Sequence, residues 1–233
     1  MEMSYLSSWH SIMYLFFNYV VSTHCAVGKS MLFRKNEFDQ FGGFKSYSQY
    51  LAEDYFISFD YFRTGYKLAI APDPSFQNLG KVKFCDYWTR QVRWTRIRYS
   101  VQPVATFLEV FTMMIPNGLL SFYAAQRLFG ISPLLFGSFH LLLWFLMDVL
   151  FGLIFYFPPP IAFLSSLSLT TPSKKYYYAI FCTLGEALVG WGTRELLSMF
   201  LILHACVGNT VFWRGKTYRI RRGSTLDEPR KIE

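Results

Sequence analysis

Residues 50–72 read YLAEDYFISFDYFRTGYKLAIAP, a line that holds two kinds of regular structure. DYFISFDYFRTG predicts a helix. Asp54 stands at its N-terminus, where a carboxylate meets free amides and the positive end of the helix dipole, and Gly65 sits where a left-handed residue ends a helix at little cost. YKLAIAP then alternates as a strand does, with Leu68 and Ile70 on one face, until Pro72 stops it. A helix followed by a strand is α/β material, so residues 23–102 are expected to form a soluble, mixed α/β region. The acidic pair keeps two readings open. Asp54 is a helix cap, or it is a base, since a helix N-terminus favours the ionised form that a base needs. Glu53 is equally eligible, because adjacent residues point in different directions.

Outward from this stretch the composition changes. The 233 residues are 52% apolar and 20% aromatic, and only 16% are charged, against about 25% in soluble domains, which implies a membrane contribution. Residues 1–102 hold 12 Lys+Arg and 8 Asp+Glu, residues 103–209 hold 4 and 4, and residues 210–233 hold 7 and 3. The net charge of +8 therefore sits where the chain would leave a membrane. That placement argues against a nucleic-acid face. Cys25, Cys85, Cys182 and Cys206 are too far apart for a zinc knuckle or a redox pair, and read as reduced thiols in a cytosol-facing protein. No Asn-x-Ser/Thr sequon argues for a glycosylated luminal face. IMYLFFNYVV, residues 12–21, lacks a preceding Lys or Arg and is too short to span, so it predicts a buried strand or helix rather than a signal peptide.

Residues 104–126 and 134–157 are both long enough to cross about 30 Å of hydrocarbon, and are separated by the polar turn Arg127 to Pro133. PPPIAFLSSLSLTTPSKK, 158–175, reads as a loop. Two more apolar stretches, 176–192 and 196–213, are joined through Arg194 and Glu195. Basic clusters before the first crossing and after the last place both ends in the cytosol, so the number of crossings is even. Either all four stretches cross or one pair lies in the interface or re-enters; Glu109, Pro116, Asn117 and Gly118 make the first stretch a poor lipid-facing helix and favour the second arrangement. Glu109, Asp148, Glu186, Arg194 and Glu195 are costly in lipid and are expected to make internal polar contacts.

TRQVRWTRIR, 89–98, puts Arg90 and Arg93 three apart on one side of a helix turn beside Trp94. Two guanidiniums there suit a diphosphate and the indole suits a sugar or an apolar acceptor. The same residues also read as a positive-inside anchor with an interfacial Trp. AVGKS, 26–30, resembles the end of a phosphate-binding loop, but Thr23 stands where that loop needs glycine. His10, His24, His140 and His204 lack metal-ligand spacing and read as structural.

The order of elements carries more than any one of them. GKSMLFRKNEFDQFGGF (28–44), EDYFIS (53–58), RTGYKLAIAP (63–72) and RQVRW (90–94), followed at once by membrane helices, resemble the acceptor half of membrane-bound family 2-like inverting glycosyltransferases, and within that group the ceramide glucosyltransferases. The resemblance runs from about Cys25 to about Gly223 and includes WRGKTYRIRRG in the tail. It implies an α/β fold: residues 1–102 as the acceptor-side part of a cytosolic glycosyltransferase-A domain, residues 103–213 as membrane helices crossing two to four times, and residues 214–233 as a basic cytosolic tail. It implies inverting transfer of glucose from UDP-glucose to ceramide at a Golgi membrane. By the same resemblance Asp54 is the catalytic base with Glu53 in support, and Arg90, Gln91, Arg93 and Trp94 bind the diphosphate and the acceptor. A divalent metal, Mg or Mn, is implied too. Its Asp-x-Asp site belongs upstream, and no two aspartates here are two apart, so the chain is expected to be a fragment that turns over little alone. Two other readings stay open: a processive polysaccharide synthase, and a non-enzymatic membrane protein that keeps glycosyltransferase remnants.

Overall fold

The structure, a computed structural model, describes residues 1–71, 82–156, 184–213 and 215–227. It divides into two compact units, Met1–Ile12 with Ala71–Gly80 and Met114–Leu197, and Met13–Ile70 with Lys81–Met113 and Ser198–Glu233. Most of it is helical. The expected loop 158–175 lies outside the described residues.

In the first unit, α1 (Glu2–Ser7) and the start of α2 (Trp9–Leu15) are joined by α8 (Met114–Phe129), α9 (Pro133–Tyr156) and the part of α10 (Leu184–Val207) up to Leu197. Within α9, Pro133–Gly152 has a mean hydropathy of 1.9 and is unburied throughout. Among the described residues it is the one helix that by itself is long and apolar enough to cross a membrane. The polar groups of this unit find one another. Arg194, 4% exposed, bonds to Asp148 of α9, to its neighbour Glu195 and to the Ser8 hydroxyl. Trp191 Nε1 donates to Asp148 at 2.7 Å and Trp144 Nε1 to Glu195 at 3.1 Å. These are the internal contacts that charge in apolar helices demands. Glu186 lies on the exposed side of α10.

The apolar stretches differ from their expected form in two places. Residues 104–126 do not make one helix: α7 (Pro103–Leu108) runs into a 3-10 turn at Glu109–Thr112, and Met113 is extended (φ −73°, ψ 152°) before α8 begins, so the pair counts as one broken span at most. Residues 196–213 are not a separate span either. Leu184–Val207 is one helix with Arg194 and Glu195 in its interior, where the ion pair to Asp148 keeps them, and 210–213 is a strand. The 12–21 segment is helical, passing from α2 into a π-type turn at Phe16–Val20, but Phe16, Tyr19, Val20 and Val21 are exposed rather than buried.

In the second unit α3 (Lys35–Gln40), α4 (Gly43–Tyr47) and α5 (Glu53–Arg63) share an aromatic core of Phe38, Tyr47, Ile57 and Tyr61. Phe38 stacks on Tyr47 with centroids 5.9 Å apart, and the two tyrosine hydroxyls are satisfied by Asp60 and by the Arg34 carbonyl. Flat rings give this small region its apolar area, and each buried hydroxyl has its acceptor. α6 (Phe84–Val101) packs through Trp88 and Val92 on Leu201 and Ala205 of α10. The sheet is a three-stranded antiparallel meander, β1 (Thr210–Trp213), β2 (Lys216–Ile220) and β3 (Leu226–Asp227). It lies far along the chain from the expected strand at 66–72, which has no ladder partner among the described residues; the helices α3–α6 are the regular structure of the described part of 23–102. A strand exists only through its neighbour, and alternation in one segment supplies half of the requirement.

Candidate active site

α5 begins one residue before the expected cap. Ala52 is the N-cap and makes no side-chain cap bond, so Asp54 is the second residue of the helix rather than its cap. Its carboxylate is nevertheless engaged on both oxygens: Oδ1 accepts the Tyr55 N–H at 2.8 Å, and Oδ2 accepts the Gly28 N–H at 2.7 Å. Burial raises the proton affinity of the half-buried Asp54 above the usual carboxylate range, and the N–H groups of Tyr55 and Gly28 oppose the rise. Burial that makes the group more basic, set against N–H groups that favour its ionised form, is the pair of influences general-base chemistry draws on. Glu53 is raised as well, by burial and then by the charge of Asp54, and its side chain reaches solvent.

The far end of α5 fits the expected stop. Gly65 has φ +92°, its N–H donates to the Phe62 carbonyl, the Tyr66 N–H donates to Tyr61, and the two tyrosine rings meet edge to face at 5.6 Å. This is a Schellman ending with its hydrophobic contact.

Residues 24–30 run beside the start of α5. His24 packs on Tyr55, Phe59 and Phe62, and burial lowers its basicity, so it is structural as expected. The Asn18 side chain clamps the backbone of Cys25 from both sides. Burial pushes the Cys25 thiol up to about 11, which leaves it inert. Gly28 then reaches Asp54, where a Cβ would stand 3.3 Å from Oδ2, and Lys29 extends its ammonium over the Trp94 ring at 6.0 Å from the centroid. One short loop therefore touches both expected parts of the site.

On α6 the box divides. Arg90 and Trp94, four residues apart, share a face, and Arg93 is close enough to Arg90 to feel its charge. Gln91 does not join them. It is 2% exposed on the buried face with Tyr87 and Thr95, and its Nε2 finds no hydrogen-bond partner among the described residues. Arg96 and Arg98 are structural. Arg96 donates to the Thr210 carbonyl at 2.6 Å, and Arg98 pairs with Glu109 at 2.7 Å. Gln102, beyond the box, donates to the Tyr55 hydroxyl at 3.2 Å.

Sequence reading missed the tail. The turn after β2 docks on the segment before α5 and on the end of α6: the Leu51 N–H donates to the Ser224 carbonyl and the Gly223 N–H donates to the Ser100 carbonyl, each at 2.9 Å, while Tyr50 bridges Thr225. Only the inclusion of WRGKTYRIRRG in the resemblance hinted at it. Among the described residues no three His, Cys, Asp or Glu side chains converge to hold a metal ion, so those residues do not fit the implied metal.

Ceramide glucosyltransferase 3 of Caenorhabditis elegans is 26% identical over 98% of this chain and 45% of its own length. Ceramide glucosyltransferase 1 of the same organism is 25% identical over 97% and 44%, and the ceramide glucosyltransferase of Candida albicans 26% over 96% and 48%. The chain thus spans about half the length of the curated relatives it matches. No solved structure matches it. The model of glycosyl transferase family 21 matches residues 1–226, and the chain belongs to that family.

Proposed function

We propose that this chain supplies the acceptor side and the base of an inverting glycosyl transfer in which glucose passes from UDP-glucose to the primary hydroxyl of ceramide. One observation carries the reading: a half-buried carboxylate, Asp54, is held by two backbone N–H groups at a helix start, and the loop that holds it also reaches Trp94. Asp54 takes the hydroxyl proton as the oxygen attacks the anomeric carbon. The glycosidic electron pair leaves with UDP, whose charge falls to Arg90 and Arg93. Single displacement inverts the anomeric centre. That the relatives are ceramide glucosyltransferases supports ceramide as acceptor. The apolar, unburied stretch Pro133–Gly152 of α9 supports a membrane setting; the Golgi, with the catalytic region facing the cytosol, comes from the family resemblance. A ceramide needs that setting, because each CH₂ drawn from the bilayer costs about 0.8 kcal/mol.

The test is product formation in nanodiscs with UDP-glucose, a divalent metal and a short-chain ceramide. The chain is assayed alone and co-expressed with the portion of the Caenorhabditis elegans relative that it does not span. Glucosylceramide of inverted configuration is expected with the portion supplied, and little without it. Absence of product in both arrangements, or product that survives Asp54→Asn undiminished, overturns the reading.

A further inference from the structure

We infer that Lys29 is a third cation of the diphosphate site, binding the pyrophosphate unit of the sugar donor together with Arg90 and Arg93. This rests on the proposed glycosyl transfer. Two observations lead to it. The Lys29 ammonium lies over the Trp94 ring, and Trp94 shares a face of α6 with Arg90, so the lysine brings its charge to the box from a different part of the chain. Arg93 holds its proton less tightly than usual, first through burial and then through Arg90, so positive charge is already crowded at the box before Lys29 is added. Crowding of this kind opposes the empty protein and is relieved by a ligand that brings several negative charges at once.

The loop geometry gives this arrangement a purpose. Inversion requires the base and the leaving group on opposite sides of the anomeric carbon. Gly28 holds the first through its N–H and Lys29 meets the second through its long side chain, so consecutive residues set the span between them. The phosphate-loop pattern that AVGKS fails to complete is then beside the point: the lysine acts with arginines of α6 rather than with a glycine-rich turn of its own.

Calorimetric titration of the full chain in nanodiscs with UDP and with inorganic pyrophosphate tests the assignment. Lys29→Gln is expected to weaken both ligands about 10-fold or more, Lys29→Arg to bind within about threefold of the parent, and Lys45→Gln, an exposed lysine on α4, to change nothing. The inference is overturned if Lys29→Gln binds as the parent does, if Lys45→Gln loses as much, or if the parent binds neither ligand. The two proposals fail separately. Lysine-dependent binding without glucosylceramide sinks the acceptor reading alone, and glucosylceramide formed by Lys29→Gln at an unchanged KM for UDP-glucose sinks the lysine alone.

Discussion

Asp54 sets two demands against each other. Burial raises its pKa above the ordinary carboxylate value of about 3.9, so the folded chain prefers the protonated form more than the unfolded chain does. The stability this contributes is complete below the ordinary value and is lost as pH rises through the raised one, whereas transfer needs the ionised form. Asp54→Asn is therefore expected to leave the melting temperature at pH 7 unchanged or higher, and to cut transfer by about 10²- to 10⁴-fold. Thermal melts beside product assays check this; a fall of several degrees would make the carboxylate a structural brace instead. The sequence left cap and base as alternatives because both use the same side chain at the same end of a helix. The N–H of Gly28, 26 residues away, gives the carboxylate a second contact beyond its own helix, and no local pattern announces it. Gln91 was misplaced for a simpler reason: one residue along a helix is a turn of 100°, which carries it from the face of Arg90 into the core.

The helix α5 was the most legible element, since what starts and stops it lies within a few residues. Gly65→Ala forces a Cβ into φ +92° and is expected to cost about 1–2 kcal/mol, read as a lower denaturation midpoint of the second unit. The strand expected at 66–72 was less legible because pairing is a property of two segments. The apolar stretches suffered a related error. Hydropathy picked out the helix over 134–157, yet the break at Met113 and the continuity through Arg194 depend on local backbone and contacts: an extended residue in one case, the carboxylate of Asp148 in the other. Removing the cation from that network exposes the dependence. Arg194→Met leaves Asp148 and Glu195 buried together, and a loss of about 3–5 kcal/mol is expected, with Asp148→Asn added to the same chain restoring part of it. Denaturation of the single and double variants in one detergent gives both numbers.

At the scale of the whole molecule, family membership rests on residues 1–226, and the site within it is assembled from distant pieces: the 24–30 loop, the start of α5, the box on α6 and the tail turn. Ser224 is fully buried at φ +59°, and its carbonyl receives the Leu51 N–H from the segment that leads into Glu53 and Asp54. A chain ending at Arg222 is expected to lose protection of the Leu51 amide in hydrogen exchange while Tyr61 and Tyr66 keep theirs. Equal protection in both chains would show that the turn is an ornament. The contact also has a consequence in time. At roughly 5–20 residues per second, the ribosome delivers Ser224 on the order of 10–35 s after Leu51. Through that interval the nascent chain holds its acidic pair without its anchor. The contacts around Glu53 and Asp54 are complete only when synthesis has reached the tail, so a chain that stops short of Ser224 leaves the start of α5 without the Leu51 bond that pins the segment before it.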